Sequence, residues 1–344
     1  MAELSERQKL LLTLIVHEHT RTALPIGSKS MVQGYNLPFS SATIRNELAT
    51  MTEMGYLRQP HTSAGRVPTE EGYRFFVSNL VQQTNLPANT RNTISHQFYQ
   101  SPQGLENWLK LAASVLAKQS QAASIVTAPH TQNVALKHLE LLSTRAAQVL
   151  MVLVLVGGEI RQRIFNLDEA TSQERLSQIA SRVNARYQGS TAQQISAETE
   201  EEDPLELSVL SHLRDEMERS GNLLTGAVYL DGLTNVLAEP EFAQSEQALS
   251  PMRLLEERTL LNDVISRTVM TEAVGGVQVL IGGEGTWEEL RDCSVILTRY
   301  GIPDQITGTI GVLGPMRMPY GHTISTVRYV GGLLSDLVSD TLAE

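Results

Sequence analysis

The sequence has little cysteine and no long apolar run, and each absence excludes a class of protein. Its single cysteine, Cys293, rules out an internal disulfide framework and a metal site built from several cysteines. We interpret Cys293 as a small core residue. The longest apolar run, Val149 to Val156, suits a buried strand and is too short to cross a bilayer. Because the N-terminus lacks the apolar stretch of a signal peptide, we expect a soluble, cytoplasmic protein.

Recognisable catalytic motifs are also missing. The stretch from Ile281 to Gly285 is rich in glycine, but it lacks the lysine and the spacing of a phosphate-binding loop, so it predicts a strand-to-helix turn. The carboxylates of Glu239 and Glu241 flank Pro240, which indicates a capped turn. The histidines lack the spacing of metal ligands. We therefore predict no enzyme activity, no cofactor and no metal site.

Positive charge is scarce over the chain as a whole. The 344 residues carry a formal net charge of −11, which argues against a nucleic-acid-binding protein. The charge is unevenly distributed, however: residues 1–80 hold 8 Lys or Arg against 7 Glu, which leaves the remainder at −12. Any DNA-binding surface should therefore lie in the first 80 residues. The acidic remainder should limit non-specific DNA binding.

An amphipathic helix is predicted between Ser40 and Gly55. A serine at its start can accept a hydrogen bond from a free backbone N–H. Gly55 suits the left-handed residue that ends a helix. The apolar residues recur at helical spacing and form one face: Ile44, Leu48 and Met51.

The opposite face of this helix carries short hydrogen-bonding groups and one guanidinium. Such side chains contact base edges and phosphates when a helix enters the major groove. Taken alone, the helix fits a polar, solvent-exposed face equally well. The residues concerned are Ser41, Thr43, Arg45 and Asn46.

A short hairpin is predicted directly after this helix. Its strands would span Tyr56–His61 and Arg66–Thr69, and Thr62 to Gly65 would form the turn, with Gly65 free to adopt a positive φ. Two further helices are predicted before Ser40. Three helices followed by a hairpin are typical of a winged helix-turn-helix, whose wing lies along the phosphate backbone or in the minor groove.

The eight predicted DNA-binding residues have two roles. Arg45 and Asn46 should contact base edges, with Thr43 beside them. The others should contact phosphates or the minor groove. These are Lys29, Ser41, His61, Ser63 and Arg66.

The rest of the chain predicts an α+β multidomain protein. Strands are predicted between residues 123 and 167 and again from residue 277, ending with Thr323–Val327, and a mostly helical stretch separates the two groups. We interpret the two groups as halves of one sheet. The predicted domains are residues 1–84 (DNA binding), 85–104 (linker), 105–188 with 272–344 (sheet domain) and 189–271 (insert).

Eight short motifs stand out along the chain: Pro25–Lys29, Ser40–Glu47, Gly55–Leu57, Pro60–Thr69, Gly72–Arg74, Glu239–Phe242, Leu290–Ser294 and Gly314–Tyr320. Together they resemble motifs of the bacterial heat-inducible transcription repressors of the HrcA family. The resemblance covers essentially the whole chain and is densest over residues 25–74.

The resemblance implies a three-part protein and a regulatory function. The parts are an N-terminal winged helix, a GAF-like α+β domain and an inserted, mostly helical dimerisation segment. The implied function is negative regulation of class I chaperone operons in the heat-shock response. A homodimer would bind an inverted-repeat operator in double-stranded DNA, and the chaperonin would support its activity. Likeness to a GAF domain does not by itself imply a ligand.

Two other functions stay open at this stage. The first is a winged-helix regulator whose GAF-like domain senses a small molecule, which would require an apolar pocket with convergent polar groups in residues 105–188 or 272–344. The second is a winged helix that binds only protein. The polar and basic cluster of Thr43, Arg45, Asn46 and Arg66 does not favour it.

Overall fold

The computed structural model describes residues 4–343 except residues 82–85, 132–134, 146, 157–159, 168, 196–202, 221–226, 243–251, 270–272 and 304. Helices and antiparallel strands are mixed along the chain, which confirms the predicted α+β class. The chain divides into two compact units. Unit 1 comprises residues 1–128, 228–301 and 308–344, and unit 2 comprises residues 129–227 and 302–307.

The elements follow one another in this order. Up to residue 127 they are α1 (Glu6–Thr22), α2 (Ser28–Tyr35), α3 (Ser41–Glu53), β1 (Leu57–Arg58), β2 (Val67–Pro68), α4 (Glu70–Asn79), α5 (Ala88–Gln100), α6 (Leu105–Ser120) and β3 (Ala123–Thr127). They continue with β4 (His130–Thr131), β5 (Leu136–Arg145), β6 (Gln148–Leu155), β7 (Ile160–Asn166), α7 (Gln173–Tyr187) and α8 (Pro204–Ser220). The last are β8 (Val228–Asp231), α9 (Leu233–Leu237), α10 (252–256), α11 (Arg258–Val269), β9 (Val277–Ile281), β10 (Cys293–Ile302), β11 (Ile306–Pro315) and α12 (Tyr320–Ala343).

Residues 4–81, which we call the N-terminal head, contain α1 to α4 and the hairpin of β1 and β2. A complete capping box starts α1: the Ser5 hydroxyl accepts from the Gln8 backbone N–H, and the Gln8 side chain accepts from the Ser5 N–H. Thr69 caps α4 by accepting from the Gly72 N–H at 3.1 Å. These local hydrogen bonds fix where the helices begin.

The rest of unit 1, which we call the sheet body, is built on strands in the order β8-β3-β11-β10-β9. β3 lies between β8 and β11, so neither of its partners is close to it in sequence. One end of α12 is tied to the sheet, because the buried Tyr320 hydroxyl lies 2.7 Å from Ser294 Oγ in β10. The same hydroxyl donates to the Met316 carbonyl at 2.6 Å.

Unit 2 has a sheet of its own, β5-β6-β7. Alternate residues of these strands form a buried cluster with apolar residues of α7 and α8, including Leu141, Met151, Ile179 and Leu213. The other face of the sheet carries apolar side chains that are exposed. Ile160 and Ile164 are 61% and 60% exposed, and Leu142 and Val156 are 40% and 46% exposed.

The sheets do not follow the domain organisation expected from sequence. Strands β5 to β7 were expected to share one sheet with the C-terminal strands, and the structure pairs them only with one another. Conversely, β8 was expected within the insert at 189–271, yet it pairs with β3 of the sheet body. Apolar alternation identifies the buried face of a strand, but not its partner, so the pattern could not distinguish the two sheets.

The strand predicted at Thr323–Val327 is wrong, because these residues lie in α12. The run is rich in β-branched residues, which favour strands. In the structure, the Thr323 hydroxyl donates to the Pro319 carbonyl and the Thr326 hydroxyl to the His322 carbonyl, each four residues earlier. Buried positions recur at helical spacing and continue down the helix: Tyr320, Thr323, Val327, Val330, Leu334 and Val338.

Candidate nucleic-acid interface

Helix α3 turns its polar side outward for local reasons. The Ser40 hydroxyl accepts from the Thr43 N–H at 3.1 Å and fixes the first turn. The predicted apolar face of Ile44, Leu48 and Met51 is buried. Arg45 and Asn46 therefore lie on the exposed side of the helix. Neither side chain hydrogen-bonds another residue in the described part of the chain.

The hairpin is anchored to the connection between α1 and α2. Ile26 and Arg66 exchange two backbone hydrogen bonds, of 2.9 and 2.8 Å, so residue 26 acts as a third strand. Gly65 was expected to use a positive φ, but its φ is not positive. It is needed for close approach instead, because a Cβ there would lie 2.3 Å from the Ile26 carbonyl group.

The hairpin tip is braced by a residue that the sequence prediction missed. Gln59 Nε2 donates to the Thr62 carbonyl at 2.8 Å and to the Ala64 carbonyl at 3.0 Å. These bonds close the loop that presents Ser63. A lone glutamine beside Pro60 gives no sequence signal for such a bracing role.

A cleft of about 480 Å3 separates α2 and α3 from the hairpin. It brings together four of the eight predicted residues, namely Lys29, Arg45, Ser63 and Arg66. Three cationic side chains from three different elements thus line one concave surface. Such a surface attracts a phosphate backbone.

The other four predicted residues do not line this cleft. Asn46 and His61 are exposed outside it. The Ser41 hydroxyl lies 3.1 Å from Ser28 Oγ, and the Thr43 hydroxyl lies 2.9 Å from Ser40 Oγ. The hydroxyls of Ser41 and Thr43 are therefore already used in packing α2 on α3 and in capping α3.

Arg66 also has a structural role. Its Nε donates to the Thr52 hydroxyl at 2.9 Å, which ties the base of the hairpin to the last turn of α3. The side chain is half-buried, unlike that of Arg45. Replacing Arg66 would therefore disturb the position of the hairpin as well as remove a charge.

Alternative chemistry finds little support among the described residues. They contain no group of three or more His, Cys, Asp or Glu side chains able to hold a metal ion, and no helix with the length and apolarity that a bilayer span requires. Burial raises the pKa of the Cys293 thiol to about 12, so it stays protonated at neutral pH. The Glu239 motif does form a turn, at Pro240–Phe242.

The cavity that a ligand-sensing regulator would need was expected within the sheet domain. A cavity of about 380 Å3 does lie there, beside Val279, Leu280 and Trp287. Another, of about 500 Å3, lies where α1 and α4 meet the start of α12. Val16, Phe76 and Met318 form part of its wall. It is therefore a gap between the head and the sheet body of unit 1.

Comparison with known proteins identifies the family. Residues 106–324 match the family model described as the HrcA protein C-terminal domain. The chain belongs to the HrcA family. A heat-inducible transcription repressor HrcA from Roseiflexus castenholzii is 42% identical to it, over 98% of this chain and 95% of the relative. One from Herpetosiphon aurantiacus is 40% identical, over 99% of this chain and 97% of the relative.

A solved structure shares the fold over nearly the whole chain. It is a crystal structure described only as that of a hypothetical protein, with a TM-score of 0.62 and 22% sequence identity. The alignment covers 98% of this chain and 100% of that one. The family-model match lies wholly C-terminal to the head, whereas the two relatives and this structure align over nearly the whole chain, as the motifs in the sequence predicted.

Proposed function

We propose that this HrcA family member is a heat-inducible transcription repressor whose N-terminal head is a winged helix that binds an inverted-repeat DNA operator. The observation that carries the proposal is the cleft lined by Lys29, Arg45 and Arg66. The exposed polar side of α3 adjoins this cleft and offers Arg45 and Asn46 to base edges. Lys29 and the hairpin residues Ser63 and His61 would hold the phosphates.

Recognition of an inverted repeat requires two heads related by two-fold symmetry. The resemblance implied dimerisation through the insert at residues 189–271. We propose that the exposed face of the β5-β6-β7 sheet supplies this symmetry instead, by packing on a second copy of the chain. Leu142, Leu150 and Ile164 lie opposite one another across the three strands and form an apolar row on that face. Their burial in a homodimer would remove this apolar surface from water.

In this proposal the sheet body is a GAF-like domain that carries the head, and the chaperonin keeps the repressor folded and active. Heat would divert the chaperonin to other unfolded proteins, and repression of the chaperone operons would fall. This regulation needs a chain whose folded fraction changes over a narrow range of conditions. A change of about 1–2 kcal/mol in the free energy of unfolding is enough to shift that fraction several-fold.

The experiment that tests DNA recognition is fluorescence anisotropy with an inverted-repeat duplex and a scrambled duplex. We expect Arg45→Ala to weaken binding to the inverted repeat by about 1–3 kcal/mol and to leave the free energy of unfolding unchanged, because Arg45 is exposed and bonds no described residue. Arg91→Ala is the matched control, since Arg91 is an exposed arginine on α5, outside the head.

Three outcomes separate the possibilities. If Arg45→Ala weakens binding to the inverted repeat more than binding to the scrambled duplex, and Arg91→Ala changes neither affinity, base recognition by α3 is supported. Equal affinity of the folded Arg45→Ala protein and the unmodified protein would remove Arg45 from the interface. Equal, weak and salt-sensitive binding of the unmodified protein to both duplexes would contradict a sequence-specific repressor.

A further inference from the structure

The head and the sheet body of unit 1 meet across an incompletely packed junction. The cavity of about 500 Å3 lies on one side of the end of α1. A second cavity of about 320 Å3, lined by His19, Arg58 and Asp292 among others, lies on the other. Apolar packing is not directional, and here it is sparse. Directional polar contacts must therefore set the angle of the head on the body.

The strongest of these contacts come from Arg317, in the segment between β11 and α12. Its Nε and one Nη atom bind the Glu241 carboxylate in a forked geometry, and the Nη2–Oε2 distance is 3.0 Å. The same Nη2 also donates to Glu239. The Arg317 side chain is only 11% exposed. We call these three residues the Arg317 cluster.

The Arg317 cluster reaches across to the head. Arg317 Nη1 donates to the Thr20 carbonyl at 3.2 Å, in the last turn of α1. The guanidinium is planar, and both carboxylates hold it, so its two remaining N–H groups, both on Nη1, have fixed directions. The carbonyl end of α1 also favours a nearby positive charge. The cluster thus fixes the end of α1 rather than merely touching it.

Three further contacts join α1 to α4 and α4 to the body. His19 Nδ1 lies 2.6 Å from the Tyr73 hydroxyl, and the Tyr73 ring packs on the Tyr320 ring of α12, with centroids 6.1 Å apart. From α4, Arg74 donates to the Ile281 carbonyl at the end of β9, at 3.2 Å. Both α1 and α4 are therefore tied to the body, but among the described residues only Arg317 joins the end of α1 to two carboxylates of the body.

We propose that Arg317 is a positioning residue for operator recognition: through Thr20 it holds the N-terminal head at the angle that lets both heads of a dimer contact the two operator half-sites. This inference rests on the proposed repressor function. Arg317 itself contacts no DNA. A fixed head angle makes the second half-site contact nearly intramolecular, whereas a loosened head loses that advantage without losing its own contacts.

The test compares a duplex with one half-site, a full inverted repeat and a series of repeats with altered spacing. We expect Arg317→Met to leave half-site affinity unchanged, to weaken binding to the full repeat about tenfold or more, and to flatten the dependence on spacing. Arg21→Gln is the matched control. It also removes an arginine from an ion pair near the end of α1, but Arg21 is 73% exposed and its ion pair, with Glu18, lies within the head.

Arg317→Lys is the second variant, in case Arg317→Met does not fold. It keeps the charge and loses the forked geometry, so we expect the same pattern in weaker form. Unchanged spacing dependence in either folded variant would overturn the proposal. An equal loss for half-site and full repeat would also overturn it, because that is the result of a merely destabilised head. If the unmodified protein does not prefer the inverted repeat, the repressor function fails instead.

Discussion

His19 shows how the junction affects a single residue. Burial lowers the pKa of His19 from its ordinary 6.5 to about 4; the Glu241 carboxylate opposes this shift, and Arg317 and Arg58 add to it. In the unfolded chain His19 takes up a proton near pH 6.5, but the folded chain does so only near pH 4. Between these values protonation favours the unfolded state, so stability falls as the pH falls.

We therefore expect His19→Asn to reduce the loss of stability between pH 6.5 and pH 4 by about 1–2 kcal/mol, a value lowered for the partial exposure of the ring. Asparagine places a polar atom where Nδ1 contacts Tyr73 and does not titrate. The measurement is urea unfolding of both proteins at several pH values. His61→Asn is the control, because His61 is exposed at the hairpin. If stability falls equally with pH in His19→Asn and in the unmodified protein, His19 does not cause this loss of stability.

At the scale of elements, the head depends on one close approach of two backbones. We expect Gly65→Ala to destabilise the chain by about 1–3 kcal/mol, because its Cβ would collide with the Ile26 backbone and push the hairpin from the α1–α2 connection. Gly34→Ala is the matched control, since a Cβ in that turn of α2 meets nothing within 4 Å and should stabilise the helix slightly. Thermal melts of both variants measure the effect. Equal unfolding midpoints for Gly65→Ala and Gly34→Ala would contradict the proposed collision.

The elements also show what the sequence could and could not predict. Helix caps and buried helix faces are determined by nearby residues, so the start of α3 and its apolar face were predicted correctly. The short hairpin was correct in place, but its strands are only two residues each, because Ile26 takes over the pairing of Arg66. The sheet that β5 to β7 join depends on partners distant in the chain, which no local pattern encodes. The Arg317 cluster depends on such partners too.

At the scale of the whole molecule, the proposed homodimer can be tested at the exposed face of the β5-β6-β7 sheet of unit 2. We expect Ile164→Glu to raise the dissociation constant of the proposed homodimer about a hundredfold or more, because it would bury a carboxylate in the proposed apolar interface. Gln178→Glu, an exposed position on α7 behind the sheet, is the charge-matched control. Sedimentation velocity across a concentration series gives the constants. A dimer that resists Ile164→Glu would place the interface elsewhere.

The position of β3 has a consequence for how quickly this protein can become active. Its partners are residues 228–231 on one side and 310–313 on the other. About a hundred residues therefore separate β3 from its first partner in sequence, and more separate it from its second. Such non-local pairing slows folding and leaves strand edges open to aggregation in the meantime. We expect the supply of active repressor after heat shock to follow its refolding rate. The recovery of repression would then depend on the time since the heat shock as well as on the temperature.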